Sequence, residues 1–173
     1  MMKKNYIIAL LILICFLLVY LSSSLYNDIK DMKIEAGIHY KYSVDDTRYL
    51  LTTIMETNMD EALQTEYGKQ FLSNLYSQLW DKVELFHESP NRISEVGNML
   101  WEIGEVLEKS SKQGTITEEE EFFIKEHAKM IKLILVDIYG FAGQDVTWYD
   151  LFNESERSKE INKKIDQRIN GDY

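Results

Sequence analysis

Cysteine is almost absent from this 173-residue chain. The single one, Cys15, sits inside an apolar run, and none follows it. Residues 27–173 therefore have no disulfide to hold them, and packing must do that work. Proline is equally scarce: Pro90 alone interrupts a sequence otherwise open to long helices. The eight glycines form no phosphate-binding loop of the Gly-x-Gly-x-x-Gly or Gly-x-x-x-x-Gly-Lys-Ser/Thr kind. Alternation of polar and apolar residues is missing at any useful length, which argues against a β domain. Acidic residues are missing from the first 27 positions, and Asp28 is the first of them. Beyond that point the balance reverses. All 29 Asp and Glu lie there against 17 Lys and Arg, a formal charge of −12. Such a domain is poorly suited to nucleic acid or to anionic lipid. The sequence also holds 18 Ile but only 5 Ala, with many Lys, Asn and Tyr, as AT-rich bacterial genomes encode.

What the start does contain is an uncharged apolar run over residues 6–21, which Ser22–Ser24, Leu25 and Tyr26 extend to 21 residues. A helix rises about 1.5 Å per residue, so about 20 residues cross a hydrocarbon core of roughly 30 Å. Tyr6, Tyr20 and Tyr26 stand where interfacial aromatics belong, and Lys3 and Lys4 precede the run. The positive-inside rule keeps the N-terminus cytoplasmic and exports the rest. A cleaved signal peptide competes with this signal-anchor, with Ser22 and Ser24 as the small residues of a site near Ser24. Its apolar core is ordinarily about 7–15 residues, which this run exceeds. The expected layout is a cytoplasmic tip at 1–5, a transmembrane signal-anchor at 6–26 and a helical stalk at 27–42. A bundle at 43–152 and a polar C-terminal helix at 153–173 complete it.

Helical periodicity carries the rest. Leu25, Ile29, Met32, Ala36 and His39 follow a 4, 3, 4, 3 spacing, a short heptad seam that can pack on the domain or pair two stalks in a homo-oligomer. Ser43 reads as an N-cap of a helix to about Asn58, with Val44, Leu51, Ile54 and Met55 on its inner face. Asp60 opens a helix expected to run to about Glu88 with the stripe Leu72, Leu75, Leu79, Val83 and Phe86. Ser89-Pro90-Asn91 breaks it. Asn91 then caps a helix to about Lys112 with the stripe Ile93, Val96, Leu100, Ile103 and Leu107, ended at Gln113-Gly114. Thr117 and Glu120 form a capping box for a helix to Tyr139, which Gly140 should stop. A last helix starts near Thr147 and turns polar after Asn153. Only Ile161, Ile165 and Ile169 mark an apolar edge in it. Short breaks make successive helices antiparallel neighbours. The expected fold is all-α: one N-terminal transmembrane helix, then an extracytoplasmic antiparallel bundle of about four to five helices.

Chemistry has little foothold. Glu84-x-x-His87 matches half of a di-metal bundle motif, but no second Glu-x-x-His exists, and both residues lie off the core stripe. No Ser or Cys stands in a nucleophile setting with a histidine. No catalytic, cofactor or metal residue is assigned. His127 falls on the apolar face of Ile124, Ile131, Ile134 and Ile138. It is expected as a core histidine bonded to a tyrosine or a carbonyl, or as a pH or ligand site together with Trp101. Gly97 and Gly104, one heptad apart beside Trp101, imply close approach of a neighbouring helix. Leu63, Tyr67, Phe71 and Leu85 form a second stripe, either buried or a partner surface.

The layout is similar to extracytoplasmic helical-bundle sensor modules that follow a signal-anchor. The resemblance covers architecture only and carries over no site residue. Those modules return through a second membrane helix, and no second apolar run is present here. The functional expectation is a non-enzymatic interaction or accessory protein at the bacterial cell envelope, held by residues 6–26 and bound to an envelope protein. The alternatives are a ligand- or pH-sensing module and, if the first segment is cleaved, a secreted helical protein.

Overall fold

The computed structural model describes residues 2–143, 145–153 and 156–171. Among the described residues there are seven helices and no strand. The first, α1, runs from Met2 to Glu56 without a break, about 82 Å of helix. The described apolar side chains from Ile8 to Tyr26 are exposed, and the last third of the helix is core: Val44, Leu51 and Ile54 are completely buried. One helix near the N-terminus is long and apolar enough to cross a membrane, and none of its apolar window is buried.

The helix expected to begin at Ser43 is thus the outer end of α1. Ser43 is buried within the helix, where its carbonyl accepts the Thr47 hydroxyl at 2.7 Å. A capping side chain works only where the preceding residue leaves the helix. Nothing between 27 and 42 makes it leave.

After α1 the chain turns at Asn58, whose side chain caps the short α2 (Met59–Leu63) through the Glu61 amide. The long helix expected from Asp60 is divided here. Thr65 adopts an extended backbone and caps α3 (Glu66–His87) by accepting from Gly68 N–H at 3.0 Å. Gly68 makes this corner possible. A Cβ there would lie 2.0 Å from the Ala62 carbonyl oxygen, a backbone atom with no freedom to retreat. Gly68→Ala is therefore expected to cost about 3 kcal/mol. Gly140→Ala, with nothing within 4 Å of its new methyl, is expected to stabilise α5 by about 0.5 kcal/mol. Urea midpoints moving in opposite directions check this; a similar response of both variants rejects the backbone conflict.

The α3–α4 turn is held from its flanks. Ser89 Oγ donates to the Phe152 carbonyl at 2.8 Å, and Asn91 Nδ2 donates to the Leu151 carbonyl at 2.8 Å. Asn91 Oδ1 accepts from Ile93 N–H, and α4 proper spans Ser94–Gln113, starting two residues later than the sequence implied. It ends at Gly114, which takes the left-handed φ of 73°. The capping box at Thr117 and Glu120 is present and opens α5 (Glu118–Phe141). The Lys109 ammonium on Glu120, followed by the Thr117 amide, holds the Glu120 carboxyl below its usual range. Gly140 does not stop α5. It sits in the last turn, and the helix ends at Ala142 with ordinary extended geometry.

The expected single last helix is two: α6 (Asp145–Asn153) and α7 (Lys159–Ile169). The tail is not a free polar helix. Ile161 and Ile165 are fully buried, α7 packs on α5, and Arg168 pairs with Asp137 at 2.8 Å. The stripes expected for α3, α4 and α5 are all buried in one core. Helix α6 fastens this core to the middle of α1. Phe152 stacks on Tyr40 at 4.5 Å, and Lys33 pairs with the buried Asp150 at 3.5 Å. Asp150 also holds Arg157 at 2.9 Å.

Candidate functional site

The broadest interface in the bundle joins α3 to α4. Its two helices approach closely because α4 offers glycine where α3 offers rings. A Cβ at Gly97 would lie 2.3 Å from His87 Cδ2, and one at Gly104 would lie 3.3 Å from Tyr76 Cδ2. His87 is anchored in this recess: its Nε2 lies 2.9 Å from Asn98 Oδ1, while Asn98 Nδ2 donates to Glu95. That second bond leaves Asn98 Oδ1 as the acceptor, so His87 Nε2 donates.

Alongside this seam runs a groove of about 750 Å³ lined by Trp80, Asp81, Val83, Glu84, His87, Glu88 and Trp101. Trp80 is 50% exposed and Trp101 43% exposed, one on each helix. Tyr76 supports Trp80 with ring centroids 6.2 Å apart. Positions 80, 84, 87 and 88 share one face of α3 by helical spacing. The groove lies in the half of the bundle nearer the N-terminal run. Ser89 contacts Phe152, which stacks on Tyr40, whereas Lys82 reaches Asp46 higher on α1. Tyr40 is 14 residues beyond Tyr26, about 21 Å along the helix.

The other candidate residues fall in different places. Leu63 is buried in α2, and Phe71 and Leu85 are half-buried against the core. Tyr67 alone of that stripe is exposed, at 83%. The break at Gln64-Thr65 changes the helical phase, so Leu63 no longer shares a face with the other three. Tyr67 and Phe71 do line a smaller depression of about 350 Å³ at the far end of the bundle, beside Thr57 and Asn58.

His127 is not at the centre of the α5 inner face. Ala128 occupies that place, fully buried, and the His127 side chain is 26% exposed at the edge. Its Nδ1 lies 3.0 Å from the Phe123 carbonyl and its Nε2 lies 3.7 Å from Glu102. Trp101 and His127 do not meet in one cavity: Trp101 lines the α3–α4 groove, whereas His127 faces the next residue, Glu102.

Among the described residues no group of three or more His, Cys, Asp or Glu is placed to hold a metal ion. Glu84 and His87 do share the groove, but His87 spends Nε2 on Asn98. Sequence reasoning passed over Trp80, Asp81 and Glu88. The available signal was a tryptophan outside the core stripe with Glu84 and Glu88 four and eight residues on. Comparison with protein-family models, characterised proteins and solved structures finds no significant match to this chain.

Proposed function

We propose that this is a single-pass membrane protein whose helical bundle stands outside the cytoplasm of a bacterium and binds another envelope protein as an accessory. The observation that carries this reading is the continuity of α1: exposed apolar residues and buried core residues belong to one uninterrupted helix. Such a helix couples an anchor to a domain without a flexible linker. Lys3 and Lys4 directly before the run support an outward-facing bundle by the positive-inside rule. The absence of a nucleophile–base set in the sequence favours binding over catalysis. The apolar run of residues 6–21 is longer than the roughly 7–15-residue core of a signal peptide, which favours retention over cleavage.

Two measurements test the proposal. Protease added to intact spheroplasts should digest the bundle, and the protein extracted from membranes should retain the mass of an uncleaved chain. Purification in mild detergent should then recover a stoichiometric protein partner. A protease-protected bundle overturns the topology, and a chain that purifies alone overturns the accessory role.

A second reading, a pH-responsive module, rests on the imidazole of His127 beside Glu102. It requires a pH-dependent transition of the wild type that His127→Gln abolishes. Identical profiles for wild type and variant reject it.

A further inference from the structure

We infer that the groove between α3 and α4 is a docking site for an arginine-bearing segment of the partner protein. This inference rests on the reading of the bundle as a binding domain and names where, and to what chemistry, it binds.

Charge is the first argument. Asp81, Glu84 and Glu88 line the groove, and no Lys or Arg does. None of the three carboxylates makes an ion pair or side-chain hydrogen bond among the described residues. Many carboxylates elsewhere are answered from within the chain, while others, among them Glu61, Glu105, Glu118 and Glu160, also stand without an ion pair among the described residues. Glu66 pairs with Lys69, Glu108 with Lys112, Glu120 with Lys109, and Asp166 with Arg92. The nearest cation in sequence, Lys82, turns away to Asp46 on α1 at 3.1 Å. The groove also lies at the C-terminal end of α3, where the last carbonyls add partial negative charge.

Aromatic surface is the second argument. Two indoles stand half-exposed on opposite walls, where burial in the core would normally place them. Faces of tryptophan attract cations, and the guanidinium stacks on them while forking to a carboxylate. Trp80 or Trp101 beside Glu84 or Glu88 supplies both halves of that recognition.

Size and height choose the source of the cation. The groove spans positions 80–88 of α3, about 12 Å, which accommodates roughly four residues of extended chain. A single small ammonium would leave most of it empty. Its lower end lies level with Tyr40, about 21 Å along α1 from Tyr26, beyond the headgroups of the membrane that holds the anchor.

Full-length protein in detergent micelles is titrated with acetyl-tetra-arginine amide, read by calorimetry and tryptophan fluorescence. Saturable one-to-one binding is expected. Trp101→Ala and the Glu84→Gln/Glu88→Gln pair should each weaken it about three- to thirtyfold. Tyr67→Ala, at the far end, should leave it unchanged, and circular dichroism verifies that each variant is folded. Tetra-lysine should bind more weakly, because an ammonium neither stacks nor forks. Equal affinity in the groove variants, or displacement by millimolar tetramethylammonium, overturns the proposal; the latter assigns the groove to a small amine. The accessory role is read separately, by photocrosslinking from position 101 in intact membranes. A partner that still crosslinks and copurifies with the Glu84→Gln/Glu88→Gln protein overturns the groove assignment alone. Absence of any partner for the wild type overturns the accessory reading, whatever the peptide does.

Discussion

Replacing Trp148 with alanine is expected to remove about 3–5 kcal/mol of stability, a large share of the roughly 5–15 kcal/mol typical of a whole domain. Trp148 is 1% exposed and meets Tyr139 edge-on, with ring centroids 5.1 Å apart. It belongs to α6, a helix of nine residues. Isolated helices that short do not persist in water, so α6 exists by virtue of what it buries. Leu151 and Phe152 lie on the same helix, and Phe152 touches both Tyr40 of α1 and Phe86 of α3. Losing the indole therefore loosens the joint between α1, α3 and α5. A fall in melting temperature of about 10–15 °C by circular dichroism is expected. Trp80→Ala and Trp101→Ala, at half-exposed positions, should each cost less than about 1 kcal/mol. If Trp148→Ala melts like those two, α6 is not a structural joint.

The second large effect is on partition rather than stability. A chain beginning at residue 27 is expected to leave the membrane fraction almost completely while melting within about 3 °C of the full-length protein. Twelve Leu, Ile, Val and Phe residues lie between 6 and 21. On an insertion scale they contribute about 4–7 kcal/mol toward the bilayer. Those from Ile8 to Leu21 are all exposed and so add nothing to the core. The first links from α1 to the bundle come later: Lys33 with Asp150 at 3.5 Å and over Tyr149 at 4.9 Å, then Tyr40 with Phe152. Alkaline extraction and sedimentation check the expectation. Continued sedimentation with membranes means that another surface anchors the protein. A cooperative melt lost on truncation means that the outer run supports the fold.

Periodicity and punctuation made much of this architecture readable. The stripes of α3, α4 and α5 lie where 3.6-residue spacing put them, because burial of a continuous apolar face is the strongest term acting on each helix. Gly114 and the Thr117–Glu120 box are local devices whose hydrogen bonds close within a few residues, so the sequence displays them whole. Where such signals failed, a neighbour overrode them. Ser43 has the chemistry of a cap but sits in a helix that nothing upstream terminates. Thr65 has the same chemistry and does cap, because Gly68 lets the chain fold back onto Ala62. Gly140 resembles a stop, yet the helix passes through it.

The amino-acid sequence by itself determined an apolar N-terminal run, an all-helical chain, the inner faces of its long helices and a cysteine-free acidic surface. These properties depend on residue type and on spacing over one or two turns. Only the tertiary structure decided that the apolar run and the core share one helix. It also seated the polar tail on α5, left His127 at an edge, and brought Trp80 and Trp101 into one groove with three carboxylates. Those outcomes depend on which faces meet across distant parts of the chain, and helical spacing within one segment carries no information about its partner.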